Sequence, residues 1–149
     1  MSVLQFGEAE PGQDYRDRPA AFGVLERDGK LALARIQREG DAAYFDLPGG
    51  ALDPGEDEAQ ALVREFGEET GLRVRAGPLL VRASQFMIKT DGTRVNNRAA
   101  LMRAELAGED PALKCEDDHA LVWMAPLEAI ARLRHGSHAW GVACWLRGR

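Results

Sequence analysis

The sequence predicts one α/β domain in which a mixed β-sheet is held between helices. Three observations lead there. The chain has 149 residues, 45% apolar and 29% charged, which suits one soluble globular domain with a core of its own. Short β-compatible runs recur along it, separated by Gly, Asp and Pro. One strongly marked helix lies mid-chain and a second closes it. Strands interrupted by a single central helix favour a mixed sheet over a doubly wound parallel one.

Residues 1 to 19 are polar, with Pro11, Gly12 and Pro19, and read as an N-terminal leader with a short edge strand at Val3 to Phe6; the domain is expected over 20–149. Phe22-Gly-Val-Leu-Glu and Leu31-Ala-Leu-Ala-Arg-Ile flank Asp28-Gly29, a hairpin signal. A third strand is expected at Tyr44-Phe-Asp-Leu, before Pro48-Gly49-Gly50 turns the chain. Beyond Gly71, Leu72-Arg-Val-Arg alternates. Pro78 leads into a longer strand, Leu79 to Ile88; Asp91-Gly92 turns it, and Arg98 to Leu106 returns. Gly108 to Asp118 is a polar, acidic loop. His119 to Met124 is a strand ending before Pro126, which opens a short helix to about Leu133. Ser137 is the expected cap of a final helix carrying Trp140, Val142, Ala143, Trp145 and Leu146.

The mid-chain helix is the most legible element. Asp57 is its expected N-cap, Gln60 completes a capping box, and Gly71 stands where the C-terminus wants a left-handed residue. At about 100° per residue, Ala59, Leu62, Val63, Phe66 and Thr70 form the stripe expected to face the core. Glu65, Glu68 and Glu69 fall in a different wedge, with Ala61 among them. That wedge breaks local rules. Glu65 and Glu69 are like charges at i and i+4, and all three carboxylates lie where the helix dipole favours cations. Within the helix only Arg64 offsets them, through Glu68. Converging carboxylates raise one another's pKa unless a dication restores their charge, and such violations belong to functional sites. Glutamates at i, i+3 and i+4 supply the oxygen donors that Mg²⁺ takes.

Written as G-x5-E-x7-R-E-U-x-E-E-x-G-U, with U a bulky apolar residue, residues 50–72 resemble the Nudix box. Gly50, Glu56, Arg64, Glu65, Glu68, Glu69, Gly71 and Leu72 match in type and spacing; Phe66 is aromatic where the pattern is usually aliphatic. At roughly 5–7% usage per residue type, seven fixed positions coincide by chance on the order of once in 10⁸. The resemblance implies a Nudix α/β/α sandwich and a hydrolase that uses Mg²⁺ or Mn²⁺ to cleave the phosphoanhydride bond of a nucleoside diphosphate linked to another moiety: a nucleotide sugar, a dinucleotide or an NTP. It further implies metal ligation by Glu68, Glu69 and the Gly50 carbonyl, with Glu65 as ligand or general base. Glu56 and Arg64 orient the loop and the catalytic carboxylates. Some family members place another acidic residue on a later loop. Glu116, Asp117 and Asp118 are the candidates here, and Glu116 is preferred for its offset from Trp123; a solvated acidic loop is the alternative. Homodimerisation is common in the family.

Arg35, Arg82, Lys89 and Arg98 are candidates for phosphate contacts, and Tyr44, Phe86 and Trp140 for stacking on a base, each weighed against a surface or core role. His119, His135 and His138 read as surface or helix-end residues. Cys115 and Cys144 form no metal-ligand spacing and read as reduced, mostly buried thiols of a cytoplasmic protein. The net charge of −5 argues against nucleic acid as partner, and neither a signal peptide nor a membrane span is visible. Ser84-Gln85 resembles the start of the NADH-pyrophosphatase signature, but Phe86-Met87 breaks it, and Met87-Ile-Lys-Thr has neither the proline nor the tyrosine that marks other subfamilies. Two rivals use the same fold. One is a nucleotide or ADP-ribose sensor without turnover, which has no need of Glu65, Glu68 and Glu69 together. The other is an isomerase of allylic diphosphates, which wants Cys and His paired with the box.

Overall fold

The computed structural model describes residues 3–149. In chain order its strands and helices are β1 (Leu4–Phe6), β2 (Arg16–Val24), β3 (Glu26–Arg27), β4 (Lys30–Ile36), β5 (Tyr44–Asp46), β6 (Gly49–Ala51), α1 (Glu58–Thr70), β7 (Leu72–Ile88), β8 (Arg94–Glu109), β9 (His119–Met124), α2 (Pro126–Arg132) and α3 (Gly136–Arg147), with a 3₁₀ turn at Pro111–Leu113. The expected mixed sheet is present, in the order β1-β7-β8-β2-β6. β1 runs parallel to β7 and β2 parallel to β8, while the β7–β8 and β2–β6 pairs are antiparallel. A second, antiparallel sheet accompanies it: β9 lies along one side of β4, and β3 and β5 share the other. No helix among the described residues is long and apolar enough to cross a membrane.

Two apolar cores lie on opposite faces of these sheets, and period-2 alternation sorts residues between them. Ala20, Phe22 and Val24 of β2 join Leu31 and Leu33 of β4 in one core, closed by Ala129, Val142 and Trp145 of α2 and α3. Ala21 and Ala32, on the other faces of the same strands, pack with Leu62 and Phe66 of α1 and with Val74 and Ala104. The result is helix, sheet, helix.

Several elements depart from the sequence reading. β2 begins at Arg16, ahead of the apolar run, and pairs with Val95 to Arg103 of β8. Pro19 is accommodated because the β6 pairing ends at Ala20: its carbonyl still accepts from the Leu52 N–H (3.0 Å), and the N–H it lacks would lie at the end of that ladder. The two strands expected around Pro78 are one 17-residue strand, with register shifts between Ala76, Leu79 and Val81 that absorb the missing N–H. The final helix is capped at His135, not Ser137; Ser137 is buried, and its N–H donates to Gln85 Oε1 (3.2 Å).

α1 has its expected ends. Asp57 accepts from the Gln60 N–H (2.8 Å), the Gln60 side chain accepts from the Asp57 N–H (2.9 Å), and Gly71 is left-handed (φ 74°). Its buried stripe is rotated from the expected one. Val63 is 39% exposed, whereas Ala61 is fully buried and Glu69 only 7% exposed. The helix tilts its carboxylate edge inward, so one glutamate lies inside the protein.

His135, the N-cap of α3, and His138, in its first turn, are helix-end residues as expected, but His138 does not reach the surface. His138 is 2% exposed; its Nδ1 accepts from the Leu47 N–H (3.1 Å), and its ring lies 4.3 Å from that of Phe22. Burial, then the Arg134 charge, lowers its pKa to about 3; burial, then His138 and Arg134, lower that of His135 to about 3. A neutral imidazole kept in the fold must take up a proton on unfolding at any pH between its folded value and the unfolded 6.5. Stability is therefore complete above pH 6.5 and falls toward pH 3, by about 1.4 kcal/mol per pH unit per histidine. Asn at position 138 offers an oxygen in place of Nδ1 without the proton uptake. Urea unfolding of His138→Asn from pH 7 to 4 is expected to show a shallower acid loss than wild type, by about that slope. Parallel curves would refute the buried neutral imidazole.

Candidate active site

The site is built where α1 crosses the end of β6, and Arg64 is its centre. The guanidinium grips Glu56 with two bonds, Nε to Oε2 (2.8 Å) and Nη2 to Oε1 (2.9 Å). Nη1 donates to Glu65 Oε1 (3.0 Å) and Glu68 Oε2 (3.2 Å), and Nη2 also donates to the Ala51 carbonyl (3.0 Å). The loop between β6 and α1 is closed by a bond from the Asp53 N–H to Glu56 Oε1 (2.7 Å). The bonds from Arg64, then that from Asp53, hold Glu56 below the usual carboxylate range. Glu56 is thus a fixed anion that anchors the cation.

The inward carboxylates behave oppositely. Glu69 accepts from the Gly49 N–H (3.1 Å), yet burial, then the charges of Glu65, Asp46 and Glu116, push its pKa well above the ordinary value. Burial also raises Glu65 to about 7, helped by Glu68 and Glu116 and opposed by Arg64. At neutral pH these groups resist full ionisation unless positive charge is brought to them. Gly50 lies against Glu65: a Cβ there would stand 2.8 Å from its Cδ and Oε1. The absence of a side chain is what lets the backbone meet the carboxylate.

The 110–118 loop completes the cluster. The N–H groups of Cys115 (3.0 Å) and Glu116 (3.1 Å) both donate to the Glu68 carbonyl. Ligand atoms of Glu68, Cys115 and Glu116 lie within 4.8 Å of one another, as do those of Glu116, Asp118 and His119. Of the three loop acids, Glu116 sits with Glu68, while Asp118 is bound to Arg38 (2.9 Å) and His119 (2.7 Å). His119 bridges Asp118 and Glu69, its Nε2 3.4 Å from Glu69 Oε2. Two sequence readings are corrected here. Cys115 is exposed beside the box and Cys144 half-buried, so neither is a core thiol; and His119 touches the box instead of facing solvent. Partial desolvation, then Glu68, Glu116 and Glu65, raise the Cys115 thiol above its ordinary pKa and keep it protonated.

A cavity of about 290 Å³ opens beside Gly49 and Gly50. Of the sequence candidates for substrate contact, Tyr44 and Lys89 line it. Arg82 is paired with Glu58 (2.6 Å), Arg98 with Asp17 (3.2 Å), and Arg35 bonds Gln37 (2.9 Å). Phe86 packs edge-on to Tyr15, and Trp140 against the α3-side core. Arg18, Arg38, Asn97, Arg134 and His135 line the cavity and were missed. Arg134 lies over the Tyr44 ring (3.9 Å) and pairs with Asp46 (2.7 Å); Arg38 bonds the Tyr44 hydroxyl. Only period-2 extension of β2 back through Pro19 would have turned Arg18 toward the same face as Ala20.

A mixed sheet between helices carries an acidic helix edge against Gly50, and Gly50 in turn borders a cavity lined by Arg18, Arg38, Lys89 and Arg134. Residues 15–146 match the NUDIX domain family model, and the chain belongs to the Nudix family of pyrophosphohydrolases. It is 31% identical over 109 residues to the CTP pyrophosphohydrolase of Escherichia coli, covering 72% of this chain and 75% of that protein. It is 39% identical over 61 residues to the ADP-ribose pyrophosphatase of Methanocaldococcus jannaschii, 41% of this chain and 36% of the relative. A Nudix hydrolase from Nitrosomonas europaea has the same fold (TM-score 0.77, 23% identity, 89% and 90% of the two chains). A MutT Nudix hydrolase from Burkholderia pseudomallei is also similar (TM-score 0.60, 27% identity, 86% and 97%).

Gly50→Ala probes the geometry directly. The methyl group displaces the end of a flexible side chain, so thermal stability is expected within a few degrees of wild type, while displacement of Glu65 by about 1 Å lowers kcat on the order of 100-fold. Unchanged kcat would show that Glu65 need not occupy this position.

Proposed function

We propose that the site hydrolyses the phosphoanhydride bond of a nucleoside diphosphate linked to another group, as a cytoplasmic enzyme dependent on Mg²⁺ or Mn²⁺. The observation that carries this reading is the pair of Glu69, buried, and Glu65, half-buried, both pushed above the carboxylate range, with no Lys or Arg among the described residues paired to Glu69 and only His119 near it (3.4 Å). By the family pattern a hard dication would be held by carboxylate oxygens of Glu65, Glu68 and Glu69 with the Gly50 carbonyl, and Glu116 lies within 4.8 Å of Glu68 to join them. The reach of Cys115 and His119 into the cluster does not change this preference, because Cys115 stays protonated and His119 is taken up by Asp118. Such an ion, when bound, offsets phosphoryl charge and acidifies a water.

The chain's own residues supply the rest. Arg64 fixes the positions of Glu65 and Glu68 and is itself anchored by Glu56. A carboxylate, Glu65 or Glu116, accepts the proton of the attacking water as its oxygen bonds to phosphorus. The bond from phosphorus to the bridging oxygen breaks, and its electron pair leaves with the departing phosphate. The cavity receives the part of the substrate that does not react.

The test is Glu68→Gln, Glu65→Gln and Glu116→Gln, each with Mg²⁺ on nucleotide sugars, dinucleotides and NTPs, alongside Mn²⁺ binding followed by electron paramagnetic resonance. Loss of a ligand is expected to weaken Mn²⁺ about ten-fold or more. Loss of the base lowers kcat by about 10²–10⁴-fold with Mn²⁺ binding nearly intact. Wild-type inactivity across the panel, or an unimpaired Glu68→Gln, refutes the assignment.

A further inference from the structure

Among the described residues, Arg18 is the one arginine of the cavity wall without a paired carboxylate. Arg38 has Asp118 at 2.9 Å and Arg134 has Asp46 at 2.7 Å. Among the described residues no carboxylate lies within 4.0 Å of the Arg18 guanidinium; its Nη1 donates to a neutral acceptor, Asn97 Oδ1 (3.0 Å). That acceptor is rigid. Asn97 is 3% exposed, stands opposite Arg18 in the parallel β2–β8 register, and donates its own amide to Met87 Sδ (3.0 Å). The guanidinium is therefore half-buried and fixed on a neutral acceptor, with no carboxylate paired to it among the described residues. Burial works against its charge, and Glu65 supplies the negative field that opposes this loss. Lys89, on the same cavity wall, is held only loosely, 3.8 Å from an exposed Asp91.

Desolvating a cation without a partner is costly, and the usual resolution is an anion brought by the ligand. A guanidinium fork suits phosphate oxygens, which it takes in pairs. On the hydrolase reading the diphosphate to be cleaved would lie over the acidic edge of α1, whose carboxylates would hold the dications that offset its charge. What distinguishes one substrate class from another is the next group along. In a nucleotide sugar that group is neutral; in a triphosphate it is a terminal phosphate carrying about −1.5 to −2 near neutral pH. We propose that Arg18, seconded by Lys89, clamps a phosphate beyond the pair over the acidic helix, so that the enzyme selects nucleoside triphosphates over nucleoside diphosphate sugars. This rests on the hydrolase reading above and names the substrate class within it.

The experiment compares wild type, Arg18→Gln and Arg18→Lys with Mg²⁺ present. Calorimetry measures binding of methylene-bridged, uncleavable analogues of a nucleoside triphosphate and of the matching nucleoside diphosphate glucose; steady-state kinetics measures the cleavable pair. Arg18→Gln is expected to weaken the triphosphate analogue about 10–100-fold and to raise KM for the triphosphate alike. The sugar analogue should move less than about three-fold, which also certifies the fold. Arg18→Lys, which keeps the charge but not the fork, should fall between. Equal weakening of both analogues would place Arg18 on the base, the ribose or the shared phosphates and overturn the clamp. No weakening of either, or a wild type that binds neither, would overturn it as well. If wild type binds both analogues selectively but cleaves neither natural compound, the clamp stands and the hydrolase reading falls. If nucleotide sugars are cleaved and Arg18→Gln changes nothing, the reverse holds.

Discussion

The contact on which this site depends is the grip of Arg64 on Glu56. Four glutamates gathered near the end of a helix repel one another and oppose its dipole. Arg64 makes the crowding tolerable by reaching two of them and the Ala51 carbonyl at once. A long side chain would not hold that pose unaided, since fixing it costs rotamer freedom. Glu56, accepting two of its bonds and one from the Asp53 amide, supplies the fixed end. The remaining repulsion falls on Glu65 and Glu69, where burial magnifies it. The cluster holds together because one ion pair is rigid, while burial opposes the charge of its neighbours Glu65 and Glu69.

The helix could be read from residues 50–72 because its determinants are local: a cap, a capping box, a terminal glycine and a fixed spacing all lie within a few turns. The strands after it could be located but not joined, since whether Pro78 ends a strand depends on what faces it across the sheet. The buried stripe was misjudged for a related reason. Glu69 is drawn inward by the Gly49 N–H, 20 residues away, and Val63 is left outside; a helical wheel ranks residues by their own polarity and cannot know which backbone group needs an acceptor.

The cavity was the least legible part, and sequence separation explains it. Asn97 reaches Arg18 from 79 positions away, and His138 reaches Leu47 from 91. His119 meets Glu69 because β9 runs beside β4 and ends against α1. No spacing rule links such residues. Cys115 shows the same limit from the other side: it has no sequence neighbour of matching chemistry, yet the loop carries it to Glu68. Glu116, preferred among three adjacent acids, does lie beside Glu68, while Asp118 is engaged elsewhere.

The carbonyl of Glu68 is among the last in α1 and has no partner within the helix; it takes both the Cys115 and the Glu116 amides instead. The loop is therefore fastened by main chain, a kind of joint indifferent to side-chain identity. Asp110 is tied to Gly71 the same way, amide to carbonyl. Between these two rivets only Leu113, packed on Gly67, and Lys114, whose Nζ donates to the Glu116 carbonyl (2.6 Å), add side-chain ties, so Glu116 owes its post chiefly to backbone.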